Sequence, residues 1–224
     1  MSSSSNNTRI AKNTIFLYFR MILLMAVSLY TSRVVLSTLG IDDYGIYNVV
    51  GGFIGMFAFL NGAMAGCTQR FITIALGKGD EQNLKKVFST CVITHGMIAL
   101  IVFILAETIG LWFVLEKLVI PENRMTAAMV VYQCSIVSTM VMIMSFPYNA
   151  DIIAHEKMSA FAYISIYEAF ANLGIVYLLY IGSLDKLAFY AILLLIVKVS
   201  VIVAYIVNDI LLKLFLNGYL TRNF

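Results

Sequence analysis

Charge is scarce in this chain. Asp, Glu, Lys and Arg make up 12% of its 224 residues, about half of the roughly 25% usual in soluble domains. So few charges cannot cover a water-facing surface, which excludes a soluble globular enzyme. A hydrophobic content of 61% excludes a disordered chain as well. Proline is rare: only Pro121 and Pro147 occur, so long helices meet few breaks. The three cysteines, Cys67, Cys91 and Cys134, form no CxxC pair and lie inside apolar runs. They read as small buried hydrophobes rather than a disulfide or metal site. The net charge of +3 is small and dispersed, which argues against a nucleic-acid partner.

Soluble catalytic motifs are missing too. His155-Glu156-Lys157-Met158 is not HExxH, because Ser159 stands where the second His belongs. Gly77-x-Gly79 lacks a third glycine, and neither GxxxxGK[ST] nor GxSxG occurs. The chain is therefore expected to be no enzyme and to need no cofactor or metal. Its solvent is the bilayer.

What is present is a series of continuous apolar runs, each near the roughly 20 residues needed to cross a membrane. They fall at about 14–38, 44–67, 87–114, 125–150, 159–182 and 187–212. This predicts an all-α integral membrane protein, a six-helix bundle over 14–212. Residues 1–13 read as a polar cytosolic arm and 213–224 as a cytosolic tail. Barrel strands would alternate polar and apolar residues, which these runs do not. The first run is too long for a signal-peptide core and reads as an uncleaved span. With the N-terminus inside, inside segments hold Arg9, Lys12, Arg70, Lys78, Lys85, Lys86, Lys157, Lys213 and Arg222. Outside loops hold only Arg33, Lys117, Arg124 and Lys186. That asymmetry puts both termini in the cytosol.

Charges inside spans are costly and so mark candidate functional sites. Glu168 and Lys198 sit near the middles of the last two runs. Counted from the span ends at 182 and 187, they differ in depth by about three residues, roughly 5 Å at helical rise. An ion pair is within reach; it either locks the hairpin or lines a polar cavity. Asn172, four residues after Glu168, shares its face. Arg20 lies inside the first run and either faces a cavity or snorkels to the surface. Arg33 and Arg70 lie nearer span ends and are cavity candidates or interfacial anchors, as is Glu107 for the latter role. His95, at the start of the third run, reads as interfacial.

The second run carries Gly51, Gly55, Gly62 and Gly66, two GxxxG units on one helical face, which predict close helix packing. Asn61 and Gln69 lie beside that stripe. Pro147 removes a backbone donor and predicts a kink in the fourth span. Aromatic belts account for most of the thirteen Tyr and fifteen Phe. Asp151, His155 and Glu156 form the only interfacial cluster that a lipid-modifying transferase could use; solvation of a helix end is the better reading of it.

Several strings carry a resemblance. Thr31-Ser32-Arg33-Val34-Val35-Leu36, then Leu39-Gly40-Ile41-Asp42-Asp43-Tyr44-Gly45-Ile46-Tyr47, resembles the first outer loop of Wzx-type polysaccharide flippases. Gln69-Arg70-Phe71, Pro147-Tyr148-Asn149-Ala150 and Ile153-Ala154-His155-Glu156-Lys157-Met158 are similar to the same group, a branch of the multidrug/oligosaccharidyl-lipid/polysaccharide (MOP) exporter superfamily. The resemblance runs from about residue 8 to 210.

It implies a transporter that moves an undecaprenyl-pyrophosphate-linked oligosaccharide from the cytosolic to the periplasmic leaflet of a bacterial inner membrane, in polysaccharide or lipopolysaccharide biosynthesis. Such exporters have two lobes around a central, often cationic cavity, whereas six spans make one lobe. A second lobe, or a homodimer, would then complete the cavity. The implied cavity residues are Arg20, Arg33, Lys198, Glu168, Asn172, Asn61 and Arg70. A cation-coupled MATE-like drug antiporter, using Glu168, is the alternative within the superfamily, and a non-transporting fragment is the other.

Overall fold

The structure is a computed structural model. It describes the backbone of residues 3–181 and 185–220, and side chains over 14–15, 17–57, 64–180 and 185–210. Among the described residues every regular element is helical. The helices are α1 (Ser3–Gly55), α2 (Phe59–Gly77), α3 (Glu81–Leu105), α4 (Leu111–Glu116), α5 (Met125–Ala154), α6 (Met158–Ile181) and α7 (Lys186–Leu220). Short 3-10 turns (Met56–Ala58 and Glu122–Arg124) and one π-turn (Ala106–Gly110) join some of them.

Five segments are long and apolar enough to cross a membrane: Leu17–Gly55, Glu81–Glu116, Glu122–Ala154, Met158–Tyr180 and Lys186–Ile210. Their outer faces carry bare apolar side chains. Ile22, Met25 and Leu29 of α1 are each about two-thirds exposed, which suits lipid and not water. A multi-pass membrane protein is compatible with this surface.

Gly40 interrupts α1 with φ 83° and ψ 172°, a region closed to residues that carry a Cβ. Neighbours on either side show what this does to the path. The Thr38 carbonyl accepts a bond from Lys186 Nζ at 3.5 Å. Asp43 pairs with Arg124 at the start of α5. Tyr47 then meets the Tyr190 ring, four residues down α7 from Lys186. Gly51 lies against Ser135, further down α5. The chain therefore turns back at Gly40, and 41–55 descends beside α5 and α7. Ser37 and Thr38 hydroxyls both donate to the Val34 carbonyl at 2.8 Å, satisfying the helix end.

The other connections are equally economical. Gly79 takes φ 69° after α2, and Asp80 caps α3 by accepting from the Asn83 amide at 3.0 Å. Glu156 takes φ 56° after α5. Asp185 caps α7, accepting from the amides of Leu187 and Ala188 at 3.1 and 3.2 Å.

Three apolar clusters hold the bundle. One joins Val50 and Ile54 to Val131, Tyr132, Ile136 and Leu187. The second joins Val35 to Ile175, Val176, Leu179, Val197 and Val201. The smallest packs Phe57 and Met64 on Ala99, Val102 and Ile143.

Several expectations change at this level. The backbone is helical from Ser3, so α1 extends back through the predicted arm, and α7 runs on to Leu220 into the predicted tail. An apolar helix, once nucleated, propagates into polar neighbours at little cost. The stretch 44–67 is not one helix: the 3-10 turn Met56–Ala58 breaks it between Gly55 and Gly62. Gly51 and Gly55 therefore end α1, while Gly62 and Gly66 lie in α2. Gly51 does approach α5, with Ser135 Oγ 3.6 Å from where a Cβ would stand, but Gly55 and Gly66 face open space. The side-chain surroundings of Gly62 lie outside the described residues. Pro147 stands apart from these changes: it lies buried inside α5, in the span where the sequence puts it. His95 is buried and not interfacial, because its ring nitrogens find the Cys91 carbonyl (2.7 Å) and Thr68 Oγ1 (3.5 Å) inside the bundle.

Candidate functional site

The face of α1 that reads Arg20, Leu24, Val27, Ser28, Thr31, Val35 repeats every three or four residues. It mixes polar and apolar groups where a lipid-facing helix would be wholly apolar. This face looks across at α6, and the returning 41–48 segment and α7 close the space between. The result is a cavity of about 440 Å3, lined on its polar sides by Arg20, Ser28, Thr31, Ser32, Asn48, Ser165, Glu168 and Asn172.

Glu168 and Lys198 meet as the hairpin count predicts. Lys198 Nζ donates to Glu168 Oε1 at 2.5 Å. Both side chains are only partly covered, 36% and 28% exposed, so the pair borders the open space rather than lying in a dry core. Arg20 stacks its guanidinium over the Phe161 ring, 4.1 Å from the centroid. It stands within electrostatic reach of Glu168 and Tyr205. Arg20 and Glu168 are the charged side chains of the lining, and Glu168 is held in turn by Lys198.

Three buried polar atoms around this space make no hydrogen bond to the protein: Arg20 Nε, Thr31 Oγ1 and Asn172 Oδ1. Buried polar atoms are rarely left so, and these three belong to residues that line one cavity.

One end of the cavity is aromatic. Tyr44, Tyr47 and Tyr190 line it there, the last two edge-on at 5.0 Å between ring centroids. Beyond them lies a three-way clamp. Arg124 binds both Asp43 oxygens, with Nε to Oδ1 at 2.8 Å, and also Asp185 Oδ2 at 2.6 Å through Nη1. It ties the Gly40 turn, the start of α5 and the start of α7 at one point. Burial opposes ionisation of Asp185, but the Ala188 amide and the Arg124 guanidinium outweigh it and hold this carboxyl below the usual range.

Of the residues singled out in the sequence, Arg20, Glu168, Asn172 and Lys198 come together here. Arg33 and Arg70 are exposed and do not line the cavity. The side chain of Asn61 lies outside the described residues. Sequence reasoning passed over Ser28, Ser32, Tyr44, Tyr47, Asn48 and Tyr190. The first two were findable, since they repeat at helical spacing with Arg20. Tyr44, Tyr47 and Asn48 reach the site only through the Gly40 reversal, and Tyr190 comes from α7. Among the described residues no cluster of three His, Cys, Asp or Glu side chains could hold a metal.

Comparison with family models, with curated proteins and with solved structures finds no match to this chain.

Proposed function

We propose that the chain is a transporter lobe that moves a lipid-linked oligosaccharide across a bacterial inner membrane, passing its anionic diphosphate through the Arg20 cavity. Arg20 carries this reading. Its guanidinium is held inside the span by Phe161, and its Nε is buried with no protein acceptor. A guanidinium fork matches phosphate oxygens. Hydrocarbon excludes a diphosphate strongly, and a cationic, polar cavity removes much of that cost. Export of two negative charges across an inside-negative membrane is worth about 4–5 kcal/mol per 100 mV, so no ATP site is required.

The proposal includes six crossings, with 41–77 as the second, both termini cytosolic, and a second lobe or second copy completing the cavity wall. The return of the chain at Gly40 supports the count. A MATE-like drug antiporter fares less well, because Glu168, the carboxylate it would need, is engaged by Lys198.

The test is reconstitution of the chain in liposomes with an undecaprenyl-diphosphate-linked saccharide, following the appearance of sugar on the opposite leaflet with an impermeant probe. Transport by the native chain that falls at least about tenfold in Arg20→Ala, a loss of ~1.4 kcal/mol of anion stabilisation, is expected. Absent transport, or transport unchanged by Arg20→Ala, overturns the reading.

A further inference from the structure

A second concavity lies away from the Arg20 cavity, between α2 and α3. It holds about 380 Å3 and is lined by Met64, Phe71, Val87, Cys91, His95 and Ile98, with Lys86 toward one end. Its polar lining groups are already committed. Thr90 and Thr94 donate to the carbonyls of Lys86 and Thr90, each at 2.8 Å. Thr68 and His95 bond one another at 3.5 Å, and His95 Nδ1 bonds the Cys91 carbonyl at 2.7 Å. What remains to a ligand is an apolar trough with a single ammonium at its end.

The dimensions narrow the occupant. From Lys86 to Ile98 is twelve residues of α3, about 18 Å at helical rise. One leaflet of a bilayer has a hydrocarbon depth of about 15 Å, half of the ~30 Å core. The trough is therefore as long as one leaflet is deep. Lys86 stands near the start of α3, where that helix leaves the Lys78-Gly79-Asp80 turn. Lys78 and Lys85 belong to the same end, and Arg70, next to the lining Phe71, is exposed. Clustered cations beside an apolar groove between spans suit an anionic headgroup.

We propose that this groove binds one anionic glycerophospholipid, its phosphate on Lys86 and one acyl chain along the trough toward Ile98. The site is independent of the transport reading, and a chain that transports nothing would still carry it.

The purified full-length chain in detergent is titrated with phosphatidylglycerol or phosphatidylcholine bearing the same acyl chains. Retained lipid is counted by native mass spectrometry, with the melting temperature followed in parallel. Phosphatidylglycerol is expected to be retained in preference and to raise the melting temperature more. Lys86→Glu should cut that preference about fivefold, the factor matching ~1 kcal/mol per basic residue at an anionic surface. Lys117→Glu, at the opposite end of the bundle, should leave it intact. Cys91→Phe, which fills the trough, should weaken both lipids. Equal retention of the two lipids by the native chain, or an unchanged preference in Lys86→Glu, overturns the proposal. So does an equal melting shift from inorganic phosphate, which would mean an anion site without a tail. A lipid-free dimer whose formation is blocked by Cys91→Phe would make a second copy the occupant and overturn it too.

Discussion

Lys198 and Glu168, thirty residues apart, are joined at 2.5 Å across the α6–α7 hairpin. The pair borders the cavity and is only partly covered, so its role divides between holding the hairpin and setting the cavity's charge. Removing either partner leaves the other charge half-covered and without its counter-ion. Lys198→Ala and Glu168→Ala should each lower the melting temperature in detergent. The double variant should recover part of the loss, with a coupling of ~1–3 kcal/mol. Strict additivity of the two single effects would show that the pair is not formed.

Arg124 should be hard to replace. Its planar fork reaches Asp43 and Asp185 at once, which a lysine ammonium cannot copy. Arg124→Lys is expected to recover less than half of the stability lost in Arg124→Ala, read as the shift in melting temperature. Full recovery by Lys would mean that charge alone matters here.

Asp185 gives this clamp a pH signature. Its carboxyl is held below the usual range by the Ala188 amide and Arg124 against the opposing effect of burial. A depressed folded value means that the stabilisation is complete above the unfolded carboxyl value of about 3.9. It is lost as pH falls through the lower folded value. Melting temperature should therefore drop on acidification below about pH 4, and Asp185→Asn should reduce that slope. The side chain is 40% exposed, so solvent screening keeps the effect modest.

Gly110 should tolerate no side chain. A Cβ there would strike the Tyr132 hydroxyl and lie 2.9 Å from Phe53 Cε1. The Tyr132 hydroxyl is fixed, because it donates to the Ala106 carbonyl in the π-turn at 2.5 Å. Gly110→Ala is expected to cost ~1–3 kcal/mol through overpacking. Tyr132→Phe should cost ~0.5–1.5 kcal/mol, the usual worth of one hydrogen bond, because the Ala106 carbonyl keeps its bond from the Leu111 amide. Combining the two should cost less than their sum, since removing the hydroxyl relieves the closer of the two contacts and leaves only that with Phe53. A strictly additive double variant would contradict this geometry.

Much of this was legible in the sequence, and the reasons for the rest are specific. Apolar runs mark helices plainly because lipid requires both continuous hydrophobicity and internal backbone bonding. The Glu168–Lys198 contact was legible because a hairpin fixes relative depth by counting from its turn. The break at Met56–Ala58 was not, since Met, Phe and Ala are as apolar as their neighbours and punctuate nothing. That break puts the two GxxxG units on different helices, so the four glycines do not share one face. His95 was misplaced for a related reason: its partners Thr68 and Cys91 lie within apolar runs, where a periodic reading sees only hydrophobicity. Arg33 illustrates the converse limit, for a charge near a span end carries no sign of which way its helix face turns. The π-turn at Ala106–Gly110 has no composition of its own, and only Tyr132 and Phe53 closing on Gly110 reveal it.

A reversal made by one residue has no slack. Elsewhere a loop of several residues would let two successive helices tilt separately, each dihedral taking up part of the difference. At Gly40 a single pair of dihedrals carries the whole change of direction. The helix bearing Arg20 and the segment bearing Tyr44, Tyr47 and Asn48 are thus the two arms of one elbow. Any change in the angle between the two arms must be taken up by the φ and ψ of Gly40, so the relative placement of the cationic and aromatic ends of the cavity is set at that one residue.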